Sequence, residues 1–165
     1  MVHTSGLRDD GDEGNNYFLT KTSNADFLEA LKASPLKFKP GTQHSYGCGP
    51  FLLGLVIEKV SGNAYAEFMR ERILVPLNMP STAVNDDRAI VADRASGYTI
   101  DGGVLKNGVR ISPAAEARAD VGIHTTALDL AKWNAAITDG KLLKRSSWDV
   151  MFTPGKLNDG TTIPA

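Results

Sequence analysis

Tyr46 lies within FKPGTQHSYGCGPFLLG, residues Phe38 to Gly54, between the Pro40-Gly41 turn and the start of a strongly apolar helix. A tyrosine at such a junction is a candidate for chemistry, although taken alone it also reads as a core aromatic with a satisfied hydroxyl. Two residues on is Cys48, with His44 close by in sequence. A thiol just before a helix can be acidic and reactive; the plainer reading is a small residue packing against the helix start. Cys48 is the only cysteine, so the chain has no internal disulfide and no cysteine-based zinc site. His3, His44 and His124 are scattered rather than set at metal-ligand spacing, and lone histidines near glycine turns read as hydrogen-bonded surface groups. The acidic run Asp9, Asp10, Asp12 and Glu13 does not complete an EF-hand and reads as a solvated loop. No metal and no cofactor is expected.

The elements that must position these residues are mainly helical. The chain is polar and glycine-rich to about Asn16, which reads as loop. Ser23 with Asp26 forms a capping-box-like start to a helix through Phe27, Leu28 and Leu31 that ends before Pro35. From Pro50 to Val60, apolar residues cover most of the helical circumference, the pattern of a central buried helix, and Ser61-Gly62 ends it. Asn63 is placed to cap a helix through Tyr65, Phe68, Met69, Ile73 and Leu74, terminated at Pro76. Tyr98 to Ile100 and Val104 to Ile111 alternate around Asp101-Gly102-Gly103 and Asn107-Gly108, which predicts a small hairpin. Thr126 with Asp129 opens a helix through Leu130, Trp133, Ala136 and Ile137 that stops at Gly140, and Ser146 with Asp149 starts a last short helix. Trp133 and Trp148 fall on apolar faces and read as core. No repeat or linker divides the chain, so residues 1–165 are expected to form a single domain.

Composition narrows the function classes. Hydrophobic residues make up 42% and charged residues 22%, which is the composition of a folded globular chain. A net charge of −1 gives no global electrostatic reason to expect nucleic acid or anionic lipid as a partner. No apolar stretch approaches the roughly 20 residues that span a bilayer. The first residues show no secretory signal, which leaves the compartment open.

Read in order, several segments resemble the serine β-lactamase-like superfamily, the branch of class C β-lactamases, penicillin-binding peptidases and β-lactamase-fold esterases. His3-Thr4-Ser5-Gly6-Leu7 resembles its HTSGL segment, and Phe38 to Gly54 resembles its PG…YSN…LLG segment. Pro76-Leu77-Asn78-Met79 is similar to PLGM, and Ala95-Ser96-Gly97-Tyr98 to the "A.GY" that follows. Gly122 to Trp133 resembles the glycine-rich STA-D-LA-W helix start, and Met151-Phe152-Thr153-Pro154 continues the series. The resemblance implies the helical subdomain of the β-lactamase/transpeptidase-like fold with a small β-hairpin, lacking most of the α/β domain. It implies that an S-x-x-K serine attacks a carbonyl while the motif's lysine and a tyrosine handle protons. Tyr46 matches that tyrosine. A phenol titrates ordinarily near 10, so proton abstraction at neutral pH requires nearby positive charge, which the family's lysine would supply.

Departures from the pattern shape the expectation. The family's S-x-x-K lies several dozen residues before HTSGL, which here places it upstream of Met1. Ser34-Pro35-Leu36-Lys37 spells the motif after HTSGL, in the stretch leading to the Pro-Gly turn, and Lys21-Thr22-Ser23 is only superficially similar to K-T-G. Cys48 occupies the substrate-binding asparagine position of Tyr-x-Asn, and a thiol is a poorer donor and acceptor than an amide. The expected function is part of a serine hydrolase acting on a small-molecule ester or amide, esterase- or D-amino-peptidase-like rather than β-lactamase, and inactive alone. The alternative is a non-catalytic module that binds a partner or self-associates through an uncovered apolar face. A cysteine enzyme built on Cys48 and His44 is the least favoured reading.

Overall fold

The computed structural model describes residues 2–9, 23–86, 89–108, 118–120 and 122–163. In chain order its elements are α1 (Asn24–Ala33), α2 (Gly49–Ser61), α3 (Tyr65–Met69), β1 (Ala83–Val84), β2 (Tyr98–Asp101), β3 (Val104–Asn107), β4 (Ile123–His124), α4 (Ala127–Thr138) and α5 (Arg145–Phe152). The regular structure of the described chain is thus mostly helical, with two small strand pairs.

Local chemistry sets the helix ends. Ser23 Oγ accepts from the Asp26 N–H at 3.1 Å and donates to the Asp26 carboxylate at 2.6 Å, and α1 buries Phe27 and Leu31, one turn apart. Pro50 sits in the first turn of α2, and Gly62, left-handed at φ 74°, donates to the Glu58 carbonyl to end it. Thr126 Oγ1 accepts from the Asp129 N–H at the start of α4. α5 begins at Arg145 with Lys144 as its N-cap, two residues before the Ser146 cap expected from sequence.

Two expectations are corrected. α3 is capped not by Asn63 but from α2: the Tyr65 N–H donates to the Glu58 carboxylate at 2.9 Å, so a neighbouring helix supplies the acceptor that a local cap would offer. Past Met69 the helix widens into a π turn over Arg70–Leu74, where the Val75 N–H reaches the Arg70 carbonyl. α2 is not buried all round. Phe51 and Gly54 are buried, whereas Leu53, Val56 and Val60 are exposed, so the described chain covers one face of this helix and leaves the other bare.

β2 and β3 pair antiparallel around Gly102-Gly103, both at positive φ, as a two-residue primed turn demands. All eight of their side chains are exposed. The pairing of β1 with β4, Ala83 opposite His124, has no counterpart in the sequence pattern. Residues 109–117, which include the expected end of the hairpin pattern, lie outside the described residues.

The core is split. One cluster joins Phe27, Leu31, Cys48 and Phe51, with Leu7, Leu28, Leu52 and Leu55 packed against it. The other joins Leu74, Leu77, Met79 and Ala136, flanked by Ile73 and Trp133. Trp148 is buried on α5 and stacks on Phe152.

Candidate functional site

Residues 3–8 run alongside the loop that carries Tyr46 and are laced to it by backbone hydrogen bonds. The Lys37 N–H donates to the Gly6 carbonyl (2.8 Å), Gly41 to Thr4 (2.7 Å), Ser45 to His3 (3.0 Å) and Cys48 to Arg8 (3.2 Å). Approach this close restricts side chains. A Cβ on Gly6, at φ 76°, would lie 2.2 Å from the Phe38 carbonyl oxygen, and one on Gly47 would lie 2.5 Å from that of Leu7. Asn158 holds the Pro-Gly turn from the other side, its N–H donating to the Gly41 carbonyl and its side-chain amide to that of Pro40. Two stretches far apart in sequence, residues 3–8 and Asn158, therefore fix one loop.

On this loop Tyr46 is 61% exposed, so it is not the core aromatic of the plainer reading. Its ring stacks on His3, with centroids 4.8 Å apart and planes 25° apart, and the His44 ring meets His3 edge-on at 6.1 Å. His3 itself is left-handed at φ 49°. In the sequence His3 reads as a surface group, and only its place in the His3 to Leu7 motif hints otherwise.

Cys48 points elsewhere. It is 3% exposed and packs with Phe27, Leu31 and Phe51 beneath the helix start. The thiol is thus a core group, while Tyr46 faces solvent two residues away. The substrate contact expected of Cys48 thus concerns a buried group, whereas His44 is exposed.

Ser34 is likewise occupied. It caps the end of α1, donating to the Ala30 carbonyl at 2.8 Å and accepting from the Arg8 guanidinium at 2.7 Å. Lys37 follows on non-helical chain, so the helical i, i+3 alignment of an S-x-x-K pair is absent there. Ser23 is the N-cap of α1, while Lys21 and Thr22, like Asp10, Asp12 and Glu13, lie outside the described residues.

Beneath the loop, Arg118 is 3% exposed and lies over both aromatic rings of the first core, 4.2 Å from the Phe27 centroid and 4.7 Å from that of Phe51. It pairs through two hydrogen bonds with Asp120. Burial, and then the charge of Asp120, push the Tyr65 phenol above its ordinary range, so that phenol stays protonated. Away from the loop, Asp129 accepts from the Ser81 N–H, Thr82 Oγ1 and Lys132 Nζ. The Lys132 bond foremost, with those from Thr82 and Ser81, holds its carboxyl below the usual range. His124 Nδ1 lies 2.8 Å from Asn85 Oδ1, and burial, helped by Arg94, lowers the ring's basicity.

Among the described residues no group of three or more His, Cys, Asp or Glu side chains could hold a metal ion. Nor is any described helix long and apolar enough to cross a membrane.

The Beta-lactamase family model matches residues 1–162, and the chain belongs to that family. It is 33% identical over 138 residues to the lovastatin esterase of Penicillium rubens, covering 76% of this chain and 34% of that protein. It is 29% identical to the human serine beta-lactamase-like protein LACTB, mitochondrial, over 94% of this chain and 29% of the relative. The crystal structure of a penicillin-binding protein from Bacillus halodurans superposes with a TM-score of 0.79 at 27% identity, covering 98% of this chain and 56% of that one. The chain therefore spans about a third of the length of these curated relatives and about half of that solved chain.

Proposed function

We propose that these 165 residues form the tyrosine-bearing, helical subdomain of a β-lactamase-type serine hydrolase, one single domain that lacks most of the α/β domain. In this reading Tyr46 handles protons in acyl transfer on an ester or amide carbonyl. The observation that carries the reading is the placement of Tyr46: exposed, on a loop fixed from two sides, at the start of α2. Acyl transfer also needs a nucleophile. The one S-x-x-K spelled in the sequence is engaged at the end of α1, so the isolated chain is expected to turn over little or no ester.

Esterase or D-amino-peptidase-like chemistry is favoured over β-lactam hydrolysis. The residue at the Tyr-x-Asn asparagine position is a buried thiol and offers no amide to a substrate. Similarity to a lovastatin esterase supports the same choice. No cofactor is required by this chemistry.

The test is intact-mass spectrometry after incubation with a fluorophosphonate and, separately, a labelled penicillin, with turnover of a chromogenic ester followed in parallel and Tyr46→Phe alongside. The expected result is no serine adduct and negligible turnover by the chain alone. A stoichiometric serine adduct, or robust turnover abolished in Tyr46→Phe, would overturn the expected inactivity.

A second reading rests on a separate observation. Leu53, Val56 and Val60 on α2, and Val150, Met151 and Phe152 on α5, are exposed. Apolar surface of this kind favours association, so the chain would act as a self-associating or partner-binding module. A mass in solution that rises with protein concentration supports it; a constant monomer mass up to high concentration counts against it.

A further inference from the structure

An exposed tyrosine ordinarily samples several side-chain rotamers, because nothing beyond its own backbone restricts it. Tyr46 is exposed, yet one face of its ring is covered by the His3 imidazole at 4.8 Å with the planes 25° apart, close to an offset stack. We infer that His3 is a positioning residue for Tyr46, a platform that fixes the phenol in one orientation and leaves only its opposite face open to a ligand. The inference rests on the proposed role of Tyr46 in acyl transfer.

Four features support a platform rather than a chance contact. His3 holds a left-handed backbone at φ 49°, a conformation uncommon outside glycine, which the surrounding structure must enforce. The enforcing contact is a backbone hydrogen bond: the His3 carbonyl accepts from the N–H of Ser45, the residue next to Tyr46, at 3.0 Å. The segment then continues in register, with Thr4, Gly6 and Arg8 each accepting from the Tyr46 loop, so the imidazole is fixed to the same frame as the phenol. His44 adds an edge contact at 6.1 Å on His3. A stack of this kind lowers the entropy that the phenol must lose when it engages a reacting group.

The test reads the Tyr46 ring itself, so it does not depend on turnover. In the full chain with isotopically labelled tyrosine, the resonances of Tyr46 are assigned by their loss in Tyr46→Phe. His3→Asn is the breaking variant, because asparagine tolerates the left-handed backbone and carries no aromatic ring. His3→Phe restores a flat aromatic ring.

The expected result in His3→Asn is loss of the ring-current shift of Tyr46 and averaging of its χ1 couplings, with the other three tyrosines unchanged. Recovery of both signals in His3→Phe strengthens the assignment to ring stacking. Unchanged Tyr46 shifts and couplings in a folded His3→Asn chain would overturn the inference, as would movement of all four tyrosines together, which marks general unfolding. Failure of the proposed function is read separately, by a serine adduct or robust ester turnover, whereas the Tyr46 shifts and couplings in the His3 variants are read without any turnover.

Discussion

The two cores are each built beside one buried charge, but the charges are held in different ways. In the first, beneath the Tyr46 loop, Arg118 lies over the Phe27 and Phe51 rings and pairs with Asp120, only two residues away in sequence. Asp120 is a local partner, and the contacts to Phe27 and Phe51 reach aromatic faces distant in sequence. In the second region, Asp129 at the start of α4 binds Ser81 and Thr82, 48 and 47 residues distant, and adds Lys132 one turn along the helix. There the polar bonds themselves join the elements. A small core can thus be closed either by a cation on rings or by a carboxylate collecting N–H and O–H donors, and the two closures respond to different perturbations.

The largest effect is expected at Arg118. Arg118→Ala removes both ring contacts and leaves Asp120 unpaired at 10% side-chain exposure, a loss of about 3–5 kcal/mol in urea unfolding, as for breaking a buried pair. Replacing both members, Arg118→Met with Asp120→Leu, should recover most of that loss, because apolar groups then replace the pair and Asp120 is not left uncompensated. If the double variant is as unstable as the single one, the ring contacts rather than the pair close this core, and the contrast with Asp129 sharpens.

The Asp129 closure should be distinguished by its pH response. Its carboxyl titrates below the ordinary value, so the stability it contributes is complete above the unfolded pKa of about 3.9 and is lost as pH falls through the lower folded value. Asp129→Asn should be less stable at neutral pH and should flatten the acid limb of an unfolding-midpoint profile. An acid limb as steep as that of the unaltered chain would assign it to other carboxylates.

Gly6→Ala comes next, at about 1–3 kcal/mol, the cost of a strained left-handed backbone. The added methyl also meets the Phe38 carbonyl oxygen, so this variant should loosen the lacing of residues 3–8 and expose the Lys37 and Ser45 amides to faster hydrogen exchange. Exchange unchanged at those two amides would show that the Tyr46 loop stands without its clamp.

Much of this frame was legible in the sequence because its determinants are local. Ser23 and Thr126 cap the helices they were expected to cap, and Gly102-Gly103 makes the hairpin turn its pattern demands. Determinants from distant residues were not legible. The Glu58 carboxylate caps α3 from another helix, and β1–β4 is a pairing of two-residue strands too short to show alternation. For α2 the periodicity reported apolarity on most sides correctly, but apolarity is not burial, and Leu53, Val56 and Val60 are uncovered. At the candidate site, the motif made Tyr46 legible as a candidate. The burial of Cys48 and the stack of His3 on Tyr46 were not, since both depend on where residues 3–8 and α1 come to rest.

The smallest effect is expected at His124, and it tests whether the second region weakens in acid in one step or two. Burial first, and the positive charge of Arg94 second, lower its basicity, while Asn85 Oδ1 at 2.8 Å accepts from a neutral ring protonated on Nδ1. The folded ring therefore binds its proton less readily than the unfolded one. Stability from His124 is complete above the unfolded pKa of about 6.5 and declines as pH falls through the depressed folded value, well before Asp129 begins to titrate. Unfolding midpoints between about pH 7.5 and 5 should fall modestly in the unaltered chain and stay level in His124→Gln. Equal slopes in the two proteins would mean that β4 carries no proton-linked stability, and that acid acts on this half of the molecule through Asp129 and other carboxylates, in a single step.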